Sequence, residues 1–335
     1  MKRRVPAHTL ILAAALPVLL ITILLSVMYG AKSMEAGRIV EALLHFDPGN
    51  VDHQIIMHSR LPRVIGALLV GAFLAVSGAL MQGMTRNDLA SPSIMGITDG
   101  SAFAVTVCMV AMPYASSMGM ILASFAGSFL SIVLVFGMAS LLPGGMSQVR
   151  LAILGTLTGT FLSSAASAIA MYFQVSQNIS FWYNARLHLM DPKLIVLAVP
   201  FAAAGLLIAL GVSKHITISA LGDEMAVSLG QNTARIKLLT TLSVILLTGI
   251  SVAIAGRIGF VGLIVPHLTR FLTGLDYRHI IPCSAVIGGV FLALCDVLSR
   301  FLNYPYEMPI GVVTAIIGVP YFLYLIRTRG GKSYR

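Results

Sequence analysis

Few residues in this 335-residue chain combine the types and spacing that chemistry needs. Gly330-Gly-Lys-Ser333 has the closing half of a phosphate loop, in which backbone N–H groups cradle phosphate oxygens and the lysine reaches the terminal ones. The first glycine of such a loop belongs at position 326, which is Ile326, so the segment reads as a basic tail and ATP hydrolysis by this chain is not expected. The eight histidines are dispersed and make no His-Glu-x-x-His cluster; His267 alone falls in an apolar run, beside Pro266. Cys108, Cys283 and Cys295 lie far apart without metal-ligand spacing and read as packing residues. No catalytic residue and no metal site are expected.

What remains are ionisable and small residues inside apolar segments. A carboxylate in mid-membrane is costly, and so it is functional by default unless it is paired. Asp99 follows Gly96 close to one end of an apolar run, and Asp296 stands four residues before Arg300, a spacing that allows an ion pair along one helix face. No relay of acids emerges from these; an ion-coupled secondary transporter stays as the alternative from another class. Gly155, Gly159, Ser163 and Ser167 recur every four residues. Such a stripe lets helices pack closely, or it lines a pathway or a subunit contact.

These residues must be positioned by apolar helices. Hydrophobic residues make up 57% of the chain and charged ones 10%, far below the roughly 25% charged of a soluble domain. The net charge of +10 comes from Lys and Arg scattered at segment ends, with no basic face interleaved with aromatics, so nucleic acid is not expected as a partner. Runs long enough to cross a bilayer predict ten spans, at 10–29, 61–83, 94–112, 118–142, 151–173, 193–212, 236–255, 258–273, 281–300 and 309–327. Met1-Lys-Arg-Arg4 and the run behind it have the polarity of a signal peptide, but the run is too long, and an uncleaved first span is expected. The fold class is therefore all-α, a polytopic membrane protein with one domain over residues 1–335.

With the N-terminus inside, 14 of the 22 Lys and Arg residues fall on the inner side and the other eight, Arg257 among them, outside. An even number of spans then puts both termini in the cytoplasm. Two connections are longer than turns. The outer one, from Gly30 to Arg60, holds a helix-like stretch near Met34 to His45 and a turn at Asp47-Pro-Gly-Asn50. The inner one, about 214–237, places Leu221, Met225, Ala226 and Leu229 near helical spacing beside Asp223, Glu224 and Ser228. It reads as a short amphipathic helix at the membrane surface or as a linker.

Three ordered blocks carry a resemblance. The first runs from Arg60-Leu-Pro-Arg63 through Gly71, Ala75, Gly78 and Gln82 to Arg86-Asn-Asp-Leu-Ala-Ser-Pro92. The second comprises Leu221-Gly222, Leu229-Gly230 and Ala255-Gly-Arg-Ile-Gly-Phe-Val-Gly-Leu-Ile-Val-Pro-His267. The third comprises Asp276-Tyr-Arg278, Asp296, Arg300, Glu307-Met-Pro-Ile-Gly311 and Gly318-Val-Pro320. Together they resemble the iron-siderophore and vitamin B12 permease family of ABC importers over nearly the whole chain. His45-Phe-Asp-Pro-Gly-Asn50, Ser91-Pro-Ser-Ile-Met-Gly96 and Phe181-Trp-Tyr-Asn-Ala-Arg-Leu-His188 are most similar to Gram-positive permeases for the ferric catecholates bacillibactin and enterobactin. Two departures stand out. Asp88 replaces a proline usual in the family, and Ala185 replaces a glycine.

The resemblance implies a type II ABC importer permease of ten helices, paired with a second permease, identical or paralogous. Two cytoplasmic ATPases that use ATP and Mg, and an extracytoplasmic siderophore-binding lipoprotein, complete the assembly. No cofactor is expected on this chain. Ala220, Leu221, Gly222, Asp223, Glu224, Ala226, Leu229 and Gly230 match the coupling segment that seats in the ATPase. Arg60, Arg63 and Arg300 match arginines offered to acids of the binding protein, a role suited to guanidinium forks. The path is expected along Gly155, Gly159, Ser163 and Ser167, with an outer gate at about 174–190 containing Gln174 and Trp182, and without fixed charges that would trap a bulky anion. Heme or cobalamin is the alternative cargo.

Overall fold

The computed structural model describes residues 6–30, 33–141, 148–185, 187, 190–303 and 306–330, and the regular elements among them are all helical. The ten predicted spans correspond to ten long helices: α1 (Ala7–Met28), α4 (Leu61–Thr85), α5 (Ile97–Ala111), α6 (Ser117–Leu141), α7 (Gln148–Tyr172), α9 (Pro192–Ser219), α11 (Thr233–Ala255), α12 (Val261–Thr273), α13 (Tyr277–Ser299) and α14 (Ile310–Gly330). Seven segments are long and apolar enough to cross a membrane, and α5, α12 and the described part of α14 are shorter apolar helices. Four short helices fill the connections: α2 (Ala36–Leu44), α3 (Val51–Ile55), α8 (Ser176–Ala185) and α10 (Asp223–Ser228). Between α3 and α4 the chain makes a π-helical turn, Ile56–Arg60, without breaking the helix.

Side-chain caps set several helix starts, each satisfying a backbone N–H that has no partner in the first turn. Asn50 accepts from Asp52 N at 3.0 Å, Asp191 from Lys193 N at 2.9 Å, Asn232 from Arg235 N at 3.0 Å and Asp276 from Arg278 N at 3.0 Å. Pro62 and Pro192 sit in first turns, where the missing N–H costs nothing.

Burial ranks the helices. In its most apolar stretch, the segment that includes α4 buries 78% of its residues and α11 72%, against 17% for α1 and 28% for α7. The central helix α4 packs on α13, α11, α12, α9 and α1. Apolar residues alone cannot drive helices together in lipid, so close backbone approach must contribute dispersion. Gly71 meets Gly288, Gly78 meets Gly262 and Gly100 meets Gly127; a methyl built on Gly71, Gly78 or Gly100 would lie within 2.4 Å of the partner's carbonyl oxygen.

The bundle has two polar ends. One carries α2 and α3. The other carries α10, and here His8 of α1 stacks on His279 of α13 with ring centroids 3.7 Å apart.

Candidate functional site

Polar groups gather in three places: the α2–α3 end, the flank of α7, and the α10 end. At the first, Asp296 of α13 is fully buried between two arginines. Arg63 of α4 donates from Nε to Oδ1 at 2.9 Å and Oδ2 at 3.1 Å, and Arg300 pairs with Oδ2 from one helical turn below. The four-residue spacing in the sequence therefore does form an ion pair. Arg63 also reaches Glu307 at 2.8 Å. A buried carboxylate is tolerated when its lone pairs are filled in this way.

The same arginines finish α1. Arg300 donates to the carbonyls of Ser26 at 2.7 Å and Tyr29 at 2.8 Å, and Arg60 donates to Val27 O at 2.5 Å and Met28 O at 3.3 Å. The last carbonyls of a helix lack intrahelical partners and carry its negative dipole end, so cations there stabilise it. Arg60, Arg63 and Arg300 are only 8%, 7% and 5% exposed. In this chain by itself they serve intrachain contacts, and Glu307, with its side chain 30% exposed, is where the cluster meets solvent.

Along α7 the four-residue stripe divides. Gly155 abuts the chain before α5 and Gly159 its first turn: a methyl at 155 would lie 2.6 Å from Ile94 O, and one at 159 would lie 2.7 Å from Asp99 Oδ2. Ser163 and Ser167, and one edge of Gly159, line recesses. Ser163 accepts a hydrogen bond from Arg257 Nη1 at 3.1 Å, and Arg257 Nη2 pairs with Asp99. Arg257 lies in the turn between α11 and α12, and its guanidinium carbon is 5.3 Å from the centre of the Tyr183 ring. Counting charges along the chain assigned Arg257 to the outer side; in the fold it lies against Asp99 and Ser163 of α7. The stripe thus carries a fixed ion pair beside it, where a path free of fixed charges was expected. The legible signal was two lone, opposite charges flanking apolar runs.

Helix α8, within the expected gate segment, is held by Tyr183, whose hydroxyl donates to Ala102 O of α5 at 2.7 Å. Gly256 packs under it with φ of +73°, and a methyl there would lie 2.6 Å from Tyr183 O. A side chain is excluded both by that contact and by the backbone conformation. Gln174, also left-handed at φ of +57°, turns the chain from α7 into α8. The side chains of Phe181 and Trp182, and those of residues 178, 184–186, 188 and 189, lie outside the described residues.

At the α10 end, Gly222 opens α10 with φ of +128°. Ala226 is buried while Leu221, Met225, Val227 and Leu229 are more than half exposed, so this short helix turns an apolar face away from the bundle. Glu224 is exposed beside that face, and Ala220 and Gly230 bound the segment. Asp223 accepts from Lys237 Nζ of α11 at 2.8 Å, with Arg86 at 3.9 Å, and the Lys237 hydrogen bond holds its carboxyl below the usual range. Nearby, Arg270 donates to Gln82 Oε1 at 2.6 Å and pairs with Asp88. That pairing gives the unusual Asp88 a place: it supplies a partner for Arg270 where a proline would supply none.

Among the described residues no group of three or more His, Cys, Asp or Glu could hold a metal ion.

The model of the FecCD transport family matches residues 18–328. The iron-uptake system permease protein FeuB of Bacillus subtilis is 58% identical over 313 residues, covering 93% of this chain and 94% of that protein. The iron(3+)-hydroxamate import system permease protein FhuB of the same organism is 47% identical over 318 residues, covering 95% and 83%. A solved inward-facing structure of a metal-chelate type ABC transporter superposes with a TM-score of 0.80 at 29% identity, over 96% of this chain and 99% of that one.

Proposed function

Because this chain belongs to the FecCD transport family, we propose that it is the permease subunit of an ABC importer whose cargo is an iron(III)-siderophore complex of the catecholate type. The observation that carries the permease role is likeness over nearly the whole length to an iron-uptake permease, with 58% identity. The chain works by conformational change, with ATP and Mg used by a separate ATPase. The catecholate assignment is supported by the residues around His45-Phe-Asp-Pro-Gly-Asn50 and Phe181-Trp-Tyr183.

The two polar ends and the flank of α7 support three partners. An ATPase dimer receives the apolar face of α10, with Leu221, Met225 and Leu229 inserted and Asp223 held back by Lys237. The siderophore-binding protein docks at the α2–α3 end, where its carboxylates compete with Glu307 for Arg63 over the Arg60–Arg300 platform. A second permease, identical or paralogous, faces α7, whose Val149, Ile153, Leu157 and Phe161 form an exposed apolar row at four-residue spacing. The path runs along Ser163 and Ser167, with α8 as the gate between Gln174 and the region of Trp182. In this orientation the α10 end and both termini are cytoplasmic.

A hydroxamate complex is the second reading, favoured by 47% identity to FhuB. Uptake of radioactive iron separates them. Cells lacking this chain are supplied with ferric bacillibactin or with a ferric hydroxamate. Restored uptake of the catecholate alone supports the proposal, and restored uptake of the hydroxamate alone replaces it.

A further inference from the structure

We propose that Arg257 is a contact for the anionic iron chelate during its passage, kept weak by its pairing with Asp99. The inference rests on the permease reading above and names the residue that meets the cargo.

Two recesses flank α7. One, of about 430 Å³, is lined by Asp99, Thr156, Gly159, Thr160 and Ser163 among others. The other, of about 160 Å³, is lined by Ser163, Ser167, Ser176, Ser180, Tyr183 and Arg257 among others. The Asp99–Arg257 pair stands at Ser163, the residue the two recesses share. Among the described lining residues Arg257 is the one cation; the rest are small, hydroxylic, aromatic or apolar apart from Asp99.

This pair is more accessible than the Arg63–Asp296–Arg300 cluster. The side chains of Arg63, Arg300 and Asp296 are 8%, 3% and 1% exposed, as expected of a cluster that holds helices together. Those of Arg257 and Asp99 are 30% and 26% exposed and open onto the recesses. Arg257 is also incompletely used: its Nε is covered but has no hydrogen-bond partner among the described residues.

The chemistry matches an anion in transit. Catecholate oxygens outweigh the ferric charge, so the complex is negative, and a guanidinium fork can donate to neighbouring oxygens. A bare arginine in a low-dielectric path would hold such a complex and stall it. Asp99 competes for the same N–H groups and cancels the field at a distance, leaving attraction at contact range only. Transport requires contact strong enough to admit the ligand and weak enough to release it. Ser163 of α7 aims the guanidinium, so movement of α7 against α5 would redirect it.

The test uses the complete transporter in vesicles with its binding protein and reads radioactive ferric bacillibactin delivered per ATP hydrolysed. Arg257→Gln and the doubly neutral Asp99→Asn/Arg257→Gln should each lower this ratio about tenfold, the loss of one charge-assisted contact. Arg257→Lys should retain more than Arg257→Gln. Because the ratio is taken per ATP, a variant that folds poorly loses both quantities together. Recovery of the wild-type ratio in the doubly neutral variant would show that the pair only supports structure, and would overturn the proposal. Absence of catecholate delivery by the wild-type transporter would instead overturn the cargo reading, and this inference with it.

Discussion

Arg63 and Asp296, 233 positions apart in the chain, meet through two hydrogen bonds of 2.9 and 3.1 Å inside the α4–α13 contact. Their pairing also fixes Arg300, which in turn closes the end of α1. Asp296→Asn keeps the shape but leaves two buried guanidinium groups facing a neutral amide. Stability should fall by about 3–5 kcal/mol, the cost of breaking a buried pair from one side. Thermal unfolding of the purified protein in detergent measures it, and an unchanged midpoint would show that water reaches the cluster.

Glycine contacts give a sharper contrast. A methyl at position 78 would lie 1.9 Å from Gly262 O, whereas one at position 137 meets nothing within 4 Å. Gly78→Ala must push α12 off α4 and should cost about 1–3 kcal/mol or more. Gly137→Ala should be neutral or slightly stabilising. Comparing the two variants in one unfolding series checks whether backbone contact, and not glycine as such, is what matters.

The start of α13 carries a pH dependence. Hydrogen bonding from Arg278 holds the Asp276 carboxyl down at about 2, below its ordinary 3.8. A depressed carboxylate adds stability that is complete above its unfolded value and disappears as pH falls through the folded one. Asp276→Asn keeps the helix cap and removes the charge. The stability gap between wild type and variant should therefore be constant down to about pH 5 and close as pH approaches about 2. A gap that stayed open at the acid end would mean the charge is not its source.

The apolar face of α10 predicts an assembly defect. Leu221 and Leu229 are 67% and 63% exposed at the two ends of α10, where the bundle does not cover them. Leu221→Glu/Leu229→Glu should leave the folded permease intact yet reduce retention of the ATPase more than tenfold, as expected when interface anchors are lost. Co-purification from membranes reads this directly. Equal retention would place the ATPase elsewhere.

Helix positions were legible in the sequence because transfer into lipid is a sum over neighbouring residues, and ten apolar runs of sufficient length declare themselves without knowledge of their partners. The Asp296–Arg300 pair was legible for a similar reason: four residues in a helix always share a face. The short helices α2 and α10 followed from local periodicity. The neighbours of each helix face did not. Whether Gly155 lines a path or abuts Met95 depends on the rotation of α7, which no residue within α7 specifies. That Arg257 meets Asp99, 158 positions away, and that Asp88 meets Arg270, depends on how four separate segments cross. The residues within a helix determine that it spans; the close glycine contacts and buried ion pairs between helices determine how it is turned, and those exist only once the bundle has formed.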